Sequence, residues 1–437
     1  MTAGTGTGAG TGTGTDVGAG AETGGVYEMK SADHPPPPDW ARGPAAAIAA
    51  AARGASGVAV ALRQGDRWAI VTQGRTGFDG AANGLSEYGG SEYGGSAFGG
   101  PAYDGSAYGG GSGPVTADTR FEVGSVTKCL TALLLAEQVA RGEMAYGDPL
   151  SRFLPYGLLP RTPGGAITPL HLATHTSGLP RLPRGLLAAA APQWFSNPYA
   201  AFTTADVLSS LAGTRTRTRP GDRVRYSNFG VGLLGHLLTV AAHDRPGQGG
   251  ERRGARASRE DPGARGELEC GGRRYGELLA ARVLEPLGLR HTGCAPNGPQ
   301  ATGHWHGRPR PSWRIPGLAG AGAVRSTARD LLALLDALLD PAAAPGSDEL
   351  RAALADVVRP RLVLRGGAKR LALVWNIRVR PDGDIYHHSG GTRGFTSFAG
   401  FGPARRTAVV ALANTGPAVD GAFIQSAYSA LLALSRP

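Results

Sequence analysis

The chain has 437 residues, 41% of them hydrophobic, so it is long enough to bury a large core in one or two lobes. Its 45 Lys and Arg, nearly all arginine, outweigh 34 Asp and Glu for a formal net charge of +11. That charge is diffuse, with no basic stripe interleaved with aromatics, which argues against a nucleic-acid partner, and no apolar run reaches the ~18 residues of a membrane span.

Residues 1–25 are almost wholly Thr, Ala and Gly, with ten glycines. They lack the basic start and apolar stretch of a secretory signal, so they read as a disordered tail and the expected location is cytoplasmic. Pro35-Pro36-Pro37-Pro38 makes a stiff spacer, and residues 1–40 thus precede a folded part at 41–437. That part opens with an alanine-rich helix near 44–53. Strands at 57–63 and 67–72 follow, joined by Gln64-Gly65-Asp66 as a hairpin. Between 77 and 114, Ser86-Glu87-Tyr88-Gly89-Gly90 recurs at Ser91 and, degraded, at Ser96 and Ser106. Such Gly/Ser/Tyr sequence cannot form a packed core and reads as a flexible insertion.

Phe121-Glu122-Val123-Gly124-Ser125-Val126-Thr127-Lys128 then leads into a strongly helix-forming apolar stretch that Gly142 closes. Positions i and i+3 share one helical face, so the Lys128 ammonium can sit beside the Ser125 hydroxyl. A serine becomes a useful nucleophile when a neighbour takes its proton, and a helix N-terminus adds positive potential there. By itself this pair recurs by chance in many helices. Cys129 lies in the same helix and reads as packed rather than reactive. With Cys270 and Cys294 it makes an odd set at unrelated spacings, so no disulfide framework is implied.

His171 and His175 have the i, i+4 spacing of a metal pair, but no glutamate follows His171 as a zinc protease needs, and a structural role is preferred. Tyr226-Ser227-Asn228 opens a second apolar stretch; on a turn the phenol and the amide can point the same way, one as a base, the other holding a substrate carbonyl. A polar insertion at 244–272 precedes a helix at 275–284, and His304-Trp305-His306 reads as a solvated loop. The last third alternates in period two: strands at 370–378, 385–388, 395–401 and 407–413 are joined by short turns, hence antiparallel, before a helix at 418–434. Within it, His388-Ser389-Gly390-Gly391 places glycines at a strand edge, where a substrate backbone can approach closely. No G-x-S-x-G elbow, phosphate-cradling loop or dinucleotide fingerprint is present.

With SxxK, YxN and HxG in that order, the chain resembles the penicillin-recognising serine hydrolases, on the branch of class C β-lactamases, D-Ala-D-Ala carboxypeptidases, D-aminopeptidases and related esterases. The segments 167–180, 284–289 and 320–331 resemble the family as well. The resemblance implies an α+β, β-lactamase/transpeptidase-like fold: an antiparallel sheet flanked by terminal helices, a mostly helical lobe from about 130 to 350, and a site where the two meet. It implies Ser125 as the acylated nucleophile, Lys128 as its proton partner, Tyr226 as general base and acid, and Asn228 as the binder of the substrate amide. Backbone N–H groups of Ser125 and Gly391 would form the oxyanion hole. His388, with Ser389 and Gly390, stands where the β-lactamases carry lysine, which disfavours efficient β-lactam hydrolysis; Arg393 could supply some of the missing charge. No cofactor or metal is implied, and the partner is a small-molecule or peptide-like substrate. An acyltransferase using the same acyl-enzyme and a non-catalytic binding member of the fold are the alternatives. The oligomeric state is open.

Overall fold

Backbone pairing between the two ends of the chain builds the frame. The computed structural model describes residues 24–29, 36–77, 112–191, 196–243, 271–296 and 300–436. The tail before residue 24, the Ser-Glu-Tyr-Gly-Gly repeat, the polar insertion up to residue 270 and Cys270 itself lie outside the described residues. A strand at Gly24–Glu28 (β1) and a helix at Asp39–Ala51 precede the hairpin of Gly57–Gln64 (β2) and Arg67–Gly74 (β3). Short pieces follow at Phe121–Glu122 (β4), Gly303–Trp305 (β5), Arg308–Arg310 (β6) and Arg325–Ser326 (β7), with β4 on β7 and β5 on β6. The last third supplies Leu362–Val363 (β8), Lys369–Leu371 (β9), Asn376–Arg378 (β10), Ile385–Gly391 (β11), Thr396–Gly402 (β12) and Thr407–Ala413 (β13), then a closing helix at Ala422–Leu434.

Nine strands form one sheet in the order β1-β3-β2-β13-β12-β11-β10-β9-β8. The N-terminal hairpin thus docks on the C-terminal strands through β13, paired with β2 over its whole length. The first and closing helices cover one face, meeting Leu62, Phe398 and Val409 with Ile48, Phe423 and Leu431. Against the other face lie the helix Ala328–Leu339 and the helical lobe, centred on the helix Thr127–Ala140, in which every residue from Thr127 to Gln138 is buried. A helix apolar all round is a core helix, and the next one, Asn228–His243, crosses it within the same core. This is the α+β architecture expected, and among the described residues no helix is long and apolar enough to cross a membrane.

Two expectations are corrected. Residues 24–28, assigned to the disordered tail, form β1, parallel to β3 from Gly24↔Trp68 to Glu28↔Thr72; they take up the backbone groups of what would otherwise be a bare sheet edge. The single strand expected at 370–378 is instead the β9–β10 hairpin, reversed at Val374 with φ 67°. Burial drives that reversal. Trp375 is 1% exposed and meets Phe401 edge-on at 5.3 Å, while the Val374 N–H donates to the Ala173 carbonyl of the helical lobe.

The ends of the repeat segment are pinned together: the Thr76 N–H donates to Gly113 O at 2.8 Å and the Val115 N–H to Gly74 O at 3.0 Å. Loop-closure entropy changes by only ~0.6 kcal/mol per doubling of length. Replacing residues 78–111 with a six-residue Gly-Ser link is therefore expected to leave the melting temperature unchanged or raise it by ~3 °C at most. A clear drop in a calorimetric scan would show that the segment itself holds the fold.

Candidate active site

The strand β4 ends at Glu122, and the chain turns through a 3₁₀ turn at Gly124–Val126 into the helix Thr127–Ala140. Gly124 has φ 48°, and a Cβ there would fall 2.6 Å from the Gly391 nitrogen, so both conformation and space demand glycine. The turn leaves Ser125 at the mouth of the helix and Lys128 one turn inside it. Lys128 Nζ donates to Ser125 Oγ at 3.0 Å and to the Ala321 carbonyl at 2.6 Å. The Tyr226 hydroxyl hydrogen-bonds Ser125 Oγ from another side at 2.7 Å, and Nζ lies 5.1 Å from the centre of the Tyr226 ring. Lys128 is fully buried, and burial pulls its pKa below the usual lysine range, an effect the neighbouring Tyr226 opposes. The proton carried by this ammonium is easier to give up than that of a surface lysine.

Tyr226 is held from behind. Ser227 Oγ donates to Pro180 O at 2.6 Å and accepts from the Gly230 N–H, fixing the entry to the helix Asn228–His243. The Ser227 N–H donates to His175 Nδ1 at 3.3 Å, and the His175 ring lies 4.6 Å from that of Tyr226. Because Nδ1 accepts, neutral His175 carries its proton on Nε2, an atom that is buried with no partner among the described residues. The Arg181 guanidinium sits 5.3 Å from the Tyr226 ring centre, and the Arg181 carbonyl takes the Asn228 N–H. Asn228 reaches the phenol of Tyr199 with its side chain, while its Oδ1 is buried and unpartnered among the described residues.

The third wall is β11. It lies against the Gly124–Val126 turn so closely that a Cβ on Gly390 would come 2.1 Å from Val123 O and 2.8 Å from the Ser125 nitrogen. Ser397 on β12 donates to the same Val123 carbonyl at 2.8 Å, and Thr392 donates to buried Glu122 at 2.7 Å. Beyond His387, which pairs with Asn376, β11 has β12 on one side and, among the described residues, no strand on the other, so the edge at Ser389–Gly391 faces the cleft. His388 is buried; its Nδ1–H donates to Ser389 O at 2.9 Å, and burial, with Lys128 and His175 nearby, pushes its pKa down to about 3. It is a neutral imidazole at pH 7. Arg393 stands on the rim with its guanidinium 4.5 Å from the Trp305 ring. The cleft encloses about 670 Å³.

Ser125, Tyr226, Asn228, His388, Ser389, Gly390, Gly391 and Arg393 all line this one cleft, and Lys128 lies directly beneath it. Sequence reasoning missed Arg181, Tyr199 and Trp313, which complete the walls. Arg181 had a signal, since it directly follows the turn ending in Leu179-Pro180. One loop reading changes. His304 is not in a solvated loop but in β5, 1% exposed, because its ring and backbone bond to Asn414. His171 and His175 face separate partners, His171 capping its own helix through Thr168. Cys129 is buried and its thiol pushed well above the ordinary range by burial.

Burial likewise depresses His175 to about 3. The sign follows from linkage: a histidine with a lowered folded pKa supports stability above its unfolded value of ~6.5 and loses it as pH falls toward 3, because only the unfolded chain takes the proton. His388→Gln is expected to flatten the fall in unfolding free energy between pH 6.5 and 4.5 by about 1.4 kcal/mol per pH unit. Urea titrations at both pH values check this, and equal slopes in the two proteins would mean that His388 is charged when folded.

A family model described as Beta-lactamase matches residues 31–252 and 266–433. A beta-lactamase of Escherichia coli (strain K12) is 25% identical over 338 residues, which is 69% of this chain and 77% of that protein. The D-alanyl-D-alanine-carboxypeptidase/endopeptidase AmpH of the same organism is 28% identical over 184 residues, 42% of this chain and 39% of its own length. Esterase EstB of Burkholderia gladioli is 46% identical over 69 residues, 15% of this chain and 17% of that protein. With two matched segments spanning nearly all of the folded chain, this protein belongs to the beta-lactamase family of serine hydrolases.

Proposed function

We propose that this protein acylates Ser125 with an ester, amide or peptide carbonyl and hydrolyses the resulting acyl-enzyme. One observation carries the reading: Ser125 Oγ, at the cleft surface, is bonded at once by Lys128 Nζ at 3.0 Å and by the Tyr226 hydroxyl at 2.7 Å. Tyr226, its anion supported by the adjoining ammonium, takes the serine proton as Oγ attacks the carbonyl carbon. Backbone N–H groups of Ser125 and Gly391 receive the developing oxyanion, supported by the close approach of β11 to the turn. The tetrahedral adduct breaks as Tyr226 returns the proton to the leaving group. Water then enters, gives its proton to Tyr226, and the acid departs as Ser125 Oγ recovers its hydrogen. Asn228, whose buried Oδ1 lacks a partner among the described residues, accepts an N–H of the substrate.

The preferred substrates are small esters or D-configured peptide-like amides rather than β-lactams. A neutral imidazole occupies the place at which β-lactamases present a fixed ammonium to the substrate carboxylate, and the burial of His388 supports that neutrality. Arg181 and Arg393 still flank the cleft, so carboxylate-bearing substrates fit its electrostatics.

Ser125→Ala is expected to fold with an unchanged melting temperature and to lose ~10⁴-fold or more in kcat on p-nitrophenyl acetate. Wild-type turnover in that variant would remove Ser125 from the chemistry. Nitrocefin is expected to be a poor substrate beside p-nitrophenyl butyrate, with kcat/KM well below the ~10⁶ M⁻¹s⁻¹ of an efficient enzyme. His388→Lys should raise the nitrocefin-to-ester ratio, and efficient nitrocefin hydrolysis by the wild type would refute the assignment of substrate class.

A further inference from the structure

The closing helix leaves one stripe incompletely covered. Phe423, Ala427 and Leu431 turn into the second core, whereas Ile424, Tyr428 and Leu432, each four residues apart, are only partly buried at its margin. Beside them a second cavity of about 310 Å³ opens over β9–β11, floored by Phe398. Its far rim is wholly basic. Register places Lys369 of β9 directly opposite Arg378 of β10, and Arg380 follows at the end of the same segment. None of these three cations has an ion-pair or hydrogen-bond partner among the described residues, and no acidic side chain among them lines the cavity; of the two acids that follow Arg380, exposed Asp382 lines a separate small pocket and Asp384 is engaged by Arg370 at 3.5 Å.

We propose that this cavity binds a small amphipathic anion: a carboxylate or sulfonate head on a flat apolar body. The head sits among Lys369, Arg378 and Arg380, whose mutual repulsion it relieves. The body lies on the Ile424–Tyr428–Leu432 stripe and removes its apolar surface from water. The inner wall suits a flat ring. His387 is already stacked parallel to Phe398, with 6.2 Å between centroids and 13° between planes, and meets Tyr428 edge-on at 5.1 Å. His387, lowered to about 4 chiefly by burial, adds no charge of its own at neutral pH, so the positive field comes from the rim. A head group alone would find exposed, hydrated cations, and an apolar body alone would gain only the stripe; the juxtaposition of the two selects an amphiphile. This site is separate from the catalytic cleft, although Ile424 lines both and forms the partition between them.

The probe is 1-anilinonaphthalene-8-sulfonate, titrated into the full-length protein and followed by fluorescence and calorimetry. Its uncharged relative N-phenyl-1-naphthylamine and inorganic sulfate at equal ionic strength serve as the two halves of the ligand. Binding of one equivalent of the sulfonate is expected, at least ~10-fold tighter than the neutral amine and uncontested by sulfate. Lys369→Glu/Arg378→Glu should weaken it by ~10-fold or more, while Arg393→Glu, on the rim of the other cleft, should not. Both reversed positions are exposed, so the fold should survive, and p-nitrophenyl butyrate turnover should stay at the wild-type level. Equal affinity for the neutral amine, undiminished binding after the double reversal, or loss of the site in Arg393→Glu would each overturn the proposal. The binding measurement is independent of turnover: it can succeed in Ser125→Ala, and it can fail in a fully active enzyme.

Discussion

The arrangement of the cleft depends on the contact between β11 and the turn that carries Ser125. Backbone lies on backbone there, with no room for a side chain on Gly390 or Gly124. One consequence is geometric: main-chain N–H groups of two distant segments come together around Ser125 without any flexible side chain between them. A second is topological. The sheet orders β11 through β12 and β13 to the N-terminal hairpin, so the register of the C-terminal strands sets where the edge at Ser389–Gly391 falls against Ser125. A slip of one residue would turn every side chain of β11 to the other face.

Buried charge fixes the turn from below. Glu122, the last residue of β4, lies 3.6 Å from Arg325 of β7 and takes hydrogen bonds from the Trp313 N–H and Thr392. Burial raises its pKa while Arg325 and the two donors oppose that rise. Such pairs give little net stability relative to an apolar core, but removing one partner strands the other at a cost of about 3–5 kcal/mol. Their value here is positional. Glu122 ties β4 to the end of β11 through Thr392 and to the cleft wall through Trp313.

The parts of this design that are local in sequence were legible there. Ser125 and Lys128 are linked by helical spacing, Tyr226 and Asn228 by a turn, and β13 and the closing helix by plain periodicity. What escaped reading depends on partners far along the chain. Val374 breaks an expected strand because Trp375 finds Phe401 and the Val374 N–H finds Ala173, neither visible from the segment itself. β1 was masked by a Thr/Gly-rich context, since its pairing satisfies the open edge of β3 more than any preference of its own. His175 reads as structural in the sequence, but its partner does not show there: with φ 58° its ring lies 4.6 Å from that of Tyr226, far along the chain.

That placement of His175 bears on how the cleft handles charge. Three cationic or potentially cationic groups, Lys128, Arg181 and His175, crowd the phenol of Tyr226, with His388 close enough to feel Lys128. Lys128, His175 and His388 are buried while Arg181 is exposed, so burial weighs on the first three. Burial holds both histidines neutral, which leaves the Lys128 ammonium beside Ser125 Oγ and the Arg181 guanidinium at the face of the Tyr226 ring. A charged residue at position 388 would add a further cation beside Lys128 and push its pKa lower still. Among these groups the neutral imidazole therefore leaves Lys128 as the buried cation, with the exposed Arg181 guanidinium at the outer face of the Tyr226 ring.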